Sequence, residues 1–399
     1  IVTESIPQLA TQVELAHARI ETMWAARDTK LESELEQSGI FFNPHSLLPD
    51  YGIAYVYPGS GNHYPDMGRD LAMRFPNVLR RLDGENDHLA SQMVPDAFWN
   101  EQSLKAINED HHAMIYGQVA LGSMITDVVQ QSGLRPNAVI GYSLGESAGL
   151  FSTRAWRDRD EMYRRMKAGT LFTTDLAGPC KAARQVWGIP DSEPINWKLG
   201  VIACSSEKVS ELLSKYSRVY LLIINTPEEC VIGGDAKAVD EVVKRLNCQW
   251  YPIEGVTTVH CDVATPVEKE YHDLHLFPTN APDGVRYYSG ASGKSYDVNR
   301  ESAAASILAQ ALEGVNYPKV INSAYNDGIR TFIEMGPGAT CSRMIPKILG
   351  ERPHLAMSAC YPCQNETMAF LRFLAKLVGN QFPLNLNFLH SEVPAALPT

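Results

Sequence analysis

The chain has 399 residues, which is long for a single core and favours two domains, or one large domain with an insertion. With 45% hydrophobic and 20% charged residues, its composition is typical of a globular protein. The formal net charge of −11 argues against nucleic acid as a partner, because so acidic a chain gains little from counterion release. No apolar run approaches the length of a membrane span, so we expect none.

The first residues and the cysteines indicate the cellular setting. The chain begins Ile1-Val2-Thr3, with no initiator Met and no basic or apolar leader, so we expect no signal peptide and a processed chain or a piece of a longer protein. Eight cysteines in this length do not form a disulfide framework, which favours a reducing, cytoplasmic compartment. Cys360 and Cys363 have the spacing of half a zinc site. No second pair lies near them in sequence, so we interpret them as ordinary thiols and expect no metal.

Apolar periodicity predicts the elements in chain order. Residues 9–38 have helical periodicity, and we interpret residues 1–50 as a helical linker. Short strands then alternate with helical stretches, which predicts an α/β fold with a parallel sheet covered on both faces. The tail, residues 381–399, is rich in Pro and apolar residues and is interpreted as a C-terminal linker. The strands of this sheet are predicted at residues 52–57, 138–140, 285–288 and 331–333, and helices at about 65–82, 108–132 and 365–378.

Residues 197–256 have a different pattern. Strand, helix, strand, strand, helix and strand follow one another, which is the order of a ferredoxin-like unit. Ser206 and Asp235 are placed to cap its two helices. We therefore expect a ferredoxin-like subdomain inserted into an α/β-hydrolase-like core made of residues 51–196 and 257–380.

A nucleophile motif follows the second predicted strand. Residues 141–145 read Gly-x-Ser-x-Gly, the pattern of a sharp turn from strand to helix. Such a turn exposes the serine hydroxyl at the carboxyl end of the strand, and the free N–H groups of the helix below it favour an oxyanion. Ser143 is therefore predicted to be the nucleophile of an acyl-transfer reaction.

A serine nucleophile needs a base, and the chain has 11 histidines. Spacing alone does not distinguish His260 from His63, His111 or His112. Four motifs, found in the family order, distinguish His260 from the other histidines. Through these motifs, residues 52–378 resemble the malonyl-CoA:acyl carrier protein transacylase family, which includes the acyltransferase domains of fatty acid and polyketide synthases. The motifs are VYPGSG at 56–61 followed by MGRDL at 67–71 (family FPGQGSQ), GYSLGE at 141–146 (family GHSLGE), VHC at 259–261 and EMGPG at 334–338.

The resemblance implies a role for each matching position. Ser143 would attack a thioester and become acylated, and His260 would take its proton and return it to the leaving thiol. The family uses no triad carboxylate, so the main-chain carbonyl of Gln310 would orient the histidine. Backbone N–H groups of Ser60 and Leu144 would form the oxyanion hole. No bound cofactor is implied: acyl-CoA and a phosphopantetheinyl acyl carrier protein are the substrates.

The chain departs from the family where members that load extender units hold the malonyl carboxylate. That function requires an arginine fork on the helix after the serine. An ungapped comparison places Ala168 there, with Arg164 and Arg165 nearby, and a local helix shift that restores an arginine contact stays open. Loss of the arginine favours a monocarboxylic acyl group, acetyl or a longer fatty acyl chain, over malonyl.

Other predicted substrate contacts also differ from the family pattern. Tyr142 replaces the His of GHSLGE, and His111 replaces a family Gln. The residue before the catalytic His is Val259, which is smaller than the Phe that accompanies malonyl selection in the family. Asn225, at the end of a strand in the insert, is also expected to contact substrate. The Tyr-Ser-Leu-Gly-Glu-Ser and Gly-Ser-Gly-Asn patterns are most similar to the acyltransferases of polyunsaturated fatty acid synthases and related glycolipid synthases.

The sequence leaves several functions open. The leading hypothesis is an acyltransferase domain of a multidomain synthase, acting with an acyl carrier protein and neighbouring domains. A thioesterase-like hydrolase would use the same acyl-serine but release free fatty acid. A non-catalytic scaffold is suggested by the changed loop at 60–63. A general α/β-hydrolase esterase shares only the serine motif.

Overall fold

The computed structural model describes residues 1–26, 29–99, 110–255 and 257–390. Its α-helices are α1 (Ile6–Ala26), α2 (Thr29–Gln37), α3 (Arg69–Arg74), α4 (Pro76–Glu85), α5 (Leu89–Met93), α6 (Pro95–Phe98), α7 (His111–Gln131), α8 (Gly145–Ser152), α9 (Arg159–Ala168), α10 (Lys181–Trp187), α11 (Ser206–Leu213), α12 (Ala236–Leu246), α13 (Glu268–Leu274), α14 (Arg300–Glu313), α15 (Tyr317–Asn326), α16 (Thr340–Leu349) and α17 (Glu366–Gly379). Its strands are β1 (Gly52–Tyr57), β2 (Ala138–Gly141), β3 (Trp197–Ile202), β4 (Val219–Thr226), β5 (Glu229–Asp235), β6 (Trp250–Pro252), β7 (Arg286–Tyr288), β8 (Ser295–Tyr296), β9 (Val315–Asn316), β10 (Ile329–Glu334) and β11 (Leu355–Ser358).

A six-stranded sheet forms the centre of the larger part of the chain. Its strand order is β11-β10-β1-β2-β7-β8, and only β8 runs antiparallel to its neighbour. Strand β1 is buried on both faces, with alternate side chains in two separate apolar clusters. A parallel sheet covered on both faces collects the carboxyl ends of its strands at one edge, where α/β proteins place their sites. The predicted fold class is confirmed.

A second, five-stranded sheet has the order β6-β3-β5-β4-β9. Its first four strands are antiparallel and, with α11 and α12, follow the β-α-β-β-α-β order predicted for residues 197–256. Strand β9 comes from outside that segment and pairs parallel with β4. Because β9 directly follows α14, the second sheet is connected to the helix that carries Gln310.

Several element boundaries differ from the sequence predictions. The periodic stretch at 9–38 contains two helices, α1 and α2. Asp235 caps α12 as predicted, by accepting a hydrogen bond from the N–H of Ala238 at 3.1 Å. The Ser206 prediction is wrong: the residue at the N-cap of α11 is Ser205, without a side-chain cap bond, and Ser206 is the first helical residue.

Both predicted linkers contact the rest of the structure, and in the C-terminal one the backbone N–H of Asn385 donates to the carbonyl of Ser132 at 2.8 Å. Glu36 pairs with Lys376 of α17 at 2.7 Å, and the side-chain amide of Asn43 donates to that of Asn380 at 3.1 Å. Residues 391–399 of the predicted C-terminal linker lie outside the described residues. Within the described ranges, no helix combines the length and the apolar character that crossing a bilayer requires.

Candidate active site

Ser143 lies at a sharp turn between β2 and α8. Its φ is +54°, a left-handed conformation that costs energy for a residue with a side chain. The turn also needs glycine on both sides. A Cβ on Gly141 would lie 2.1 Å from the backbone nitrogen of Glu146, and one on Gly145 would lie 1.9 Å from the carbonyl oxygen of Tyr57. The Gly-x-Ser-x-Gly pattern is therefore required by close backbone contacts, and it holds the serine at the start of α8.

His260 contacts the serine and is oriented by a main-chain carbonyl. The Oγ of Ser143 lies 2.8 Å from Nε2 of His260, and Nδ1 of His260 lies 2.8 Å from the carbonyl oxygen of Gln310. A carbonyl can only accept, so Nδ1 carries a proton and the neutral ring presents Nε2 as an acceptor to the hydroxyl. The sequence predictions placed these three groups together, and the structure brings them into contact.

The surroundings of His260 favour the neutral ring. The residue is 8% exposed, and burial lowers the pKa of His260, an effect that the hydrogen bond to Gln310 partly offsets. Its backbone N–H donates to the carbonyl of Ala311 at 2.7 Å. Both ring and backbone are thus held by α14, and a neutral imidazole is the form that can accept a proton.

Glu146 connects the serine turn to α14. Its carboxyl group accepts hydrogen bonds from the Ser306 hydroxyl and, at 3.3 Å, from the Gly290 N–H. Burial raises the pKa of Glu146 to about 7, and its hydrogen bonds oppose the rise. One turn after Ser306, the side-chain amide of Gln310 donates to the carbonyl of Ser143 at 3.1 Å. Helix α14 is therefore fixed to α8 through Glu146 and to the serine turn through Ser143, which sets the position of the Gln310 carbonyl.

The two predicted oxyanion donors, Ser60 and Leu144, line the same cavity as Ser143. In the described part of the chain, neither backbone N–H donates to a protein acceptor. The N–H of Leu144 belongs to the residue at the N-cap of α8, where the helix dipole favours negative charge. The two groups are therefore available to a developing oxyanion.

The loop that carries Ser60 is held by residues that the sequence did not identify. The backbone N–H of Asn62 donates to Oε1 of Gln118 at 2.9 Å, and its side-chain amide donates to the carbonyl of Gly59 at 2.9 Å. The hydroxyl of Thr340 donates to Oδ1 of Asn62 at 2.5 Å. Asn62 thus joins the loop after β1 to α7 and to α16. The loop is held at Gly59 before Ser60 and at Asn62 after it.

A cavity of 340 Å³ opens beside Ser143. Apolar side chains from α7, α8, α9, α14 and the second sheet form most of its wall. The predicted substrate-contact residues His111, Tyr142, Asn225 and Val259 all line it. Burial lowers the pKa of His111, which favours its neutral form.

Tyr142 and Asn225 form part of a fixed wall. The hydroxyl of Tyr142 donates to Oδ1 of Asn225 at 2.6 Å, and the amide of Asn225 donates to Glu229 at 3.0 Å. The ring of Tyr142 also packs edge-on against Tyr317, with the ring centroids 5.4 Å apart. Burial raises the pKa of Tyr142. Tyr142 therefore connects the serine turn to the second sheet.

The prediction that Ala168 contacts the acyl group is corrected by the structure. Ala168 is exposed at the end of α9 and does not line the cavity. Met162 and Met166, four residues apart, occupy the helix face that does. From Met166 to Ala168 the helix turns by about 200°, which directs the side chain of Ala168 away from the cavity. Arg164 and Arg165 do not replace the missing arginine, because both pair with Glu161 and neither lines the cavity.

The cysteine pair that resembles half a zinc site is split between core and surface. Cys360 is buried, with its sulfur 3.1 Å from the hydroxyl of Tyr64, and Cys363 is exposed. Among the residues that the structure describes, no three His, Cys, Asp or Glu side chains are grouped so that they could hold a metal ion.

Comparison with known proteins identifies homologues. No family model matches the chain. It is 25% identical over 314 residues to the malonyl CoA-acyl carrier protein transacylase of Bacillus subtilis, across 77% of this chain and 93% of that one. It is 23% identical over 375 residues to a component of the polyunsaturated fatty acid synthase of Thraustochytrium sp., across 87% of this chain but only 18% of the relative.

The fold is also found among solved structures. The acyltransferase domain from the second module of the salinomycin polyketide synthase superposes with a TM-score of 0.69 at 18% identity, over 87% of this chain and 79% of that domain. At that identity the likeness shows the fold alone. The homologues of the chain are therefore transacylases and synthases that contain acyltransferase domains, as the four sequence motifs predicted.

Proposed function

We propose that this homologue of malonyl-CoA:acyl carrier protein transacylase is the acyltransferase domain of a fatty acid or polyketide type synthase. It moves an acyl group between CoA and the phosphopantetheine thiol of an acyl carrier protein through an acyl-Ser143 intermediate. The observation that carries this proposal is the line of contacts from Ser143 Oγ to His260 Nε2, and from His260 Nδ1 to the carbonyl of Gln310, each at 2.8 Å.

In the first half-reaction, Ser143 Oγ attacks the thioester carbonyl carbon while its proton passes to Nε2 of His260. The carbonyl oxygen becomes an oxyanion, which the N–H groups of Ser60 and Leu144 stabilise. When the carbon–sulfur bond breaks, the imidazolium returns the proton to the departing CoA sulfur. CoA leaves as a thiol, and Ser143 keeps the acyl group as an ester.

The second half-reaction uses the same groups in reverse. Neutral His260 takes the proton of the carrier protein's thiol, and the sulfur attacks the ester carbonyl. The oxyanion again forms beside the N–H groups of Ser60 and Leu144. When the carbon–oxygen bond breaks, His260 protonates Ser143 Oγ. The Gln310 carbonyl keeps Nδ1 protonated throughout and stabilises the imidazolium that forms in each half-reaction.

We propose that the acyl group is monocarboxylic rather than malonyl. The cavity wall beside Ser143 is mainly apolar, and Met162 and Met166 occupy the face of α9 that lines it. The arginines nearest the family's carboxylate-binding position, Arg164 and Arg165, are paired with Glu161 outside the cavity. A free carboxylate buried next to Ser143 would therefore lack the fork that normally offsets its desolvation.

The partners proposed are an acyl carrier protein and the neighbouring domains of a larger cytoplasmic synthase. The Thraustochytrium relative belongs to a synthase, and the matched region is only 18% of its length. We propose that residues 51–196 and 257–380 are the catalytic core, that residues 197–256 are an inserted subdomain, and that residues 1–50 and 381–399 connect to neighbours.

The test is to follow both products of an acyl-CoA. The protein is incubated with decanoyl-CoA, with and without a holo acyl carrier protein, and acyl carrier and free acid are measured by mass spectrometry. Transfer predicts acyl carrier in excess of free acid, and loss of both products in Ser143→Ala. Free acid at the same rate with and without carrier would instead identify a hydrolase. No product and no adduct would identify a scaffold.

A further inference from the structure

Arg159, the first residue of α9, lies in the wall of the same cavity as Ser143. Only 7% of it is exposed. Its Nε donates to Oδ1 of Asn86 at 3.1 Å, while its two terminal nitrogens are buried and have no hydrogen-bond partner among the described residues. A buried guanidinium with unused donors is unusual, because burying a charge is unfavourable unless it is paired and hydrogen-bonded.

Carboxylates lie near Arg159, but other groups already bind them. Asp127 pairs with Arg81 at 2.8 Å and with Arg154 at 2.7 Å. Asp160 accepts a hydrogen bond from the side-chain amide of Gln92 at 2.7 Å. Burial lowers the pKa of Arg159 to about 10, so the group stays charged at neutral pH. These carboxylates offset its charge only in part, because the positive charge of Arg154 opposes them, and they leave its terminal N–H groups without acceptors.

The chain order along α8 and α9 places Arg159 toward the end of the cavity that is remote from the nucleophile. Ser143 comes just before α8, and Arg154 comes just after it. The charge of Arg154 acts on Arg159, so Arg159 lies near the end of α8 that is opposite to Ser143. Phe151, near the end of α8, also lines the cavity, and eight residues of helix span about 12 Å. Along α9, the cavity-lining residues follow a spacing of four and three, so they share one face. In order from the C-terminal end of that helix they are Met166, Met162 and Arg159.

We propose that Arg159 is the polar end wall of the acyl channel and sets the length of the acyl chain that Ser143 accepts. This inference rests on the proposed acyltransferase function and adds the substrate class, a medium-length saturated acyl chain. An extended chain advances roughly 1.2 Å per bond, so about ten bonds cover the distance of about 12 Å from the serine to the end wall. The preferred chain therefore has about 8 to 12 carbons.

The expected selectivity follows from the two parts of the channel. Each methylene that adds contact with the apolar wall should increase the acylation rate by about fourfold, from the transfer free energy of a methylene. A methyl group that reaches Arg159 covers the N–H groups without bonding to them, and excludes the water that could. Chains two to four carbons longer than the optimum should therefore react about tenfold more slowly.

The test measures the initial rate of Ser143 acylation by intact-protein mass spectrometry across saturated acyl-CoAs from acetyl to stearoyl. In wild type the rate should peak between about 8 and 12 carbons. Arg159→Met removes the polar wall at similar length, and should raise the rate with palmitoyl-CoA about tenfold. Arg159→Lys keeps a charge there, and should keep the optimum. Arg164→Met, on the same helix but outside the cavity, is the matched control and should reproduce the wild-type profile.

Several outcomes would overturn this inference while leaving the acyltransferase proposal intact. One is an unchanged profile in a folded Arg159→Met, with folding checked by thermal unfolding. Should that variant not fold, an optimum in Arg159→Lys that moves to longer chains would count equally against it. Another is a preference for an ω-carboxyacyl-CoA over the saturated chain of equal length, which would make Arg159 an anion site. Absence of any adduct on wild-type Ser143 would instead contradict the proposed function itself.

Discussion

Asn62 offers a sharp test of how the oxyanion loop is built, because its side chain makes two contacts that no neighbouring residue duplicates. Asn62→Ala removes the amide bond to the Gly59 carbonyl at 2.9 Å and the acceptor for the Thr340 hydroxyl at 2.5 Å. It keeps the main-chain bond to Gln118. The change therefore loosens the loop beside Ser60 and removes one side chain from the cavity wall, while it keeps Ser143, His260 and both oxyanion N–H groups.

The size of the effect follows from these contacts. Two hydrogen bonds at about 0.5 to 1.5 kcal/mol each predict that the free energy of unfolding falls by about 1 to 3 kcal/mol. Removing an oxyanion donor costs roughly 10² to 10³ in rate. Because Asn62→Ala keeps the Ser60 N–H but misplaces it, we expect the acylation rate to fall about 10- to 100-fold.

The assay is the single-turnover rate of CoA release, with thermal unfolding recorded for each variant. Thr340→Val breaks only one of the two contacts and should have the smaller effect on rate. Asn326→Ala, at an exposed position on α15, is the control for an Asn-to-Ala change. Wild-type rates in a folded Asn62→Ala would refute the reasoning that this side chain positions the oxyanion donor.

Three further predictions concern charge and selectivity. Burial lowers the pKa of His260, and only the neutral ring accepts a proton. The acylation rate should therefore rise with pH to a plateau, with an apparent pKa below the ordinary 6.5. A midpoint above 7 in a pH–rate profile would contradict this prediction. Ala168→Arg should leave the ratio of malonyl to decanoyl acylation within about threefold of wild type, since position 168 faces away from the cavity; a gain of tenfold or more in malonyl labelling would show that an arginine there reaches the substrate. In the folded state the pKa of Glu146 is raised from 4.5 to about 7. Between these two pH values the folded protein keeps a proton on Glu146 that the unfolded chain loses, so the free energy of unfolding falls as the pH rises. Glu146→Gln should remove this contribution to the fall in the free energy of unfolding between pH 5 and 8. Denaturant titrations in which that free energy depends on pH as in wild type would contradict the prediction.

The nucleophile and the insert were accessible from sequence because their signals are local. Two glycines around Ser143 are required by contacts with backbone atoms, and the insert's elements follow one another with clear periodicity. His260 and Gln310 were different. The two are 50 residues apart, and only resemblance to a family selected them from the many other His and Gln residues.

Three features required the folded structure. The Asn62 contacts join residues separated by 56 and 278 positions, and no spacing rule detects such pairs. The Ala168 prediction failed because an ungapped comparison fixes a position but not the direction of a side chain on a helix. Arg159 has no sequence signal at all, since a charged residue in the first turn of α9 is normally solvated.

The central claim is that Ser143 carries the acyl group, and peptide-mapped mass spectrometry after exposure to decanoyl-CoA tests it most directly. We predict a single acyl adduct on the peptide that contains Ser143 in wild type, formed much more slowly in His260→Ala and absent in Ser143→Ala. A folded wild-type protein without an adduct, or with the acyl group on another residue, would contradict the account.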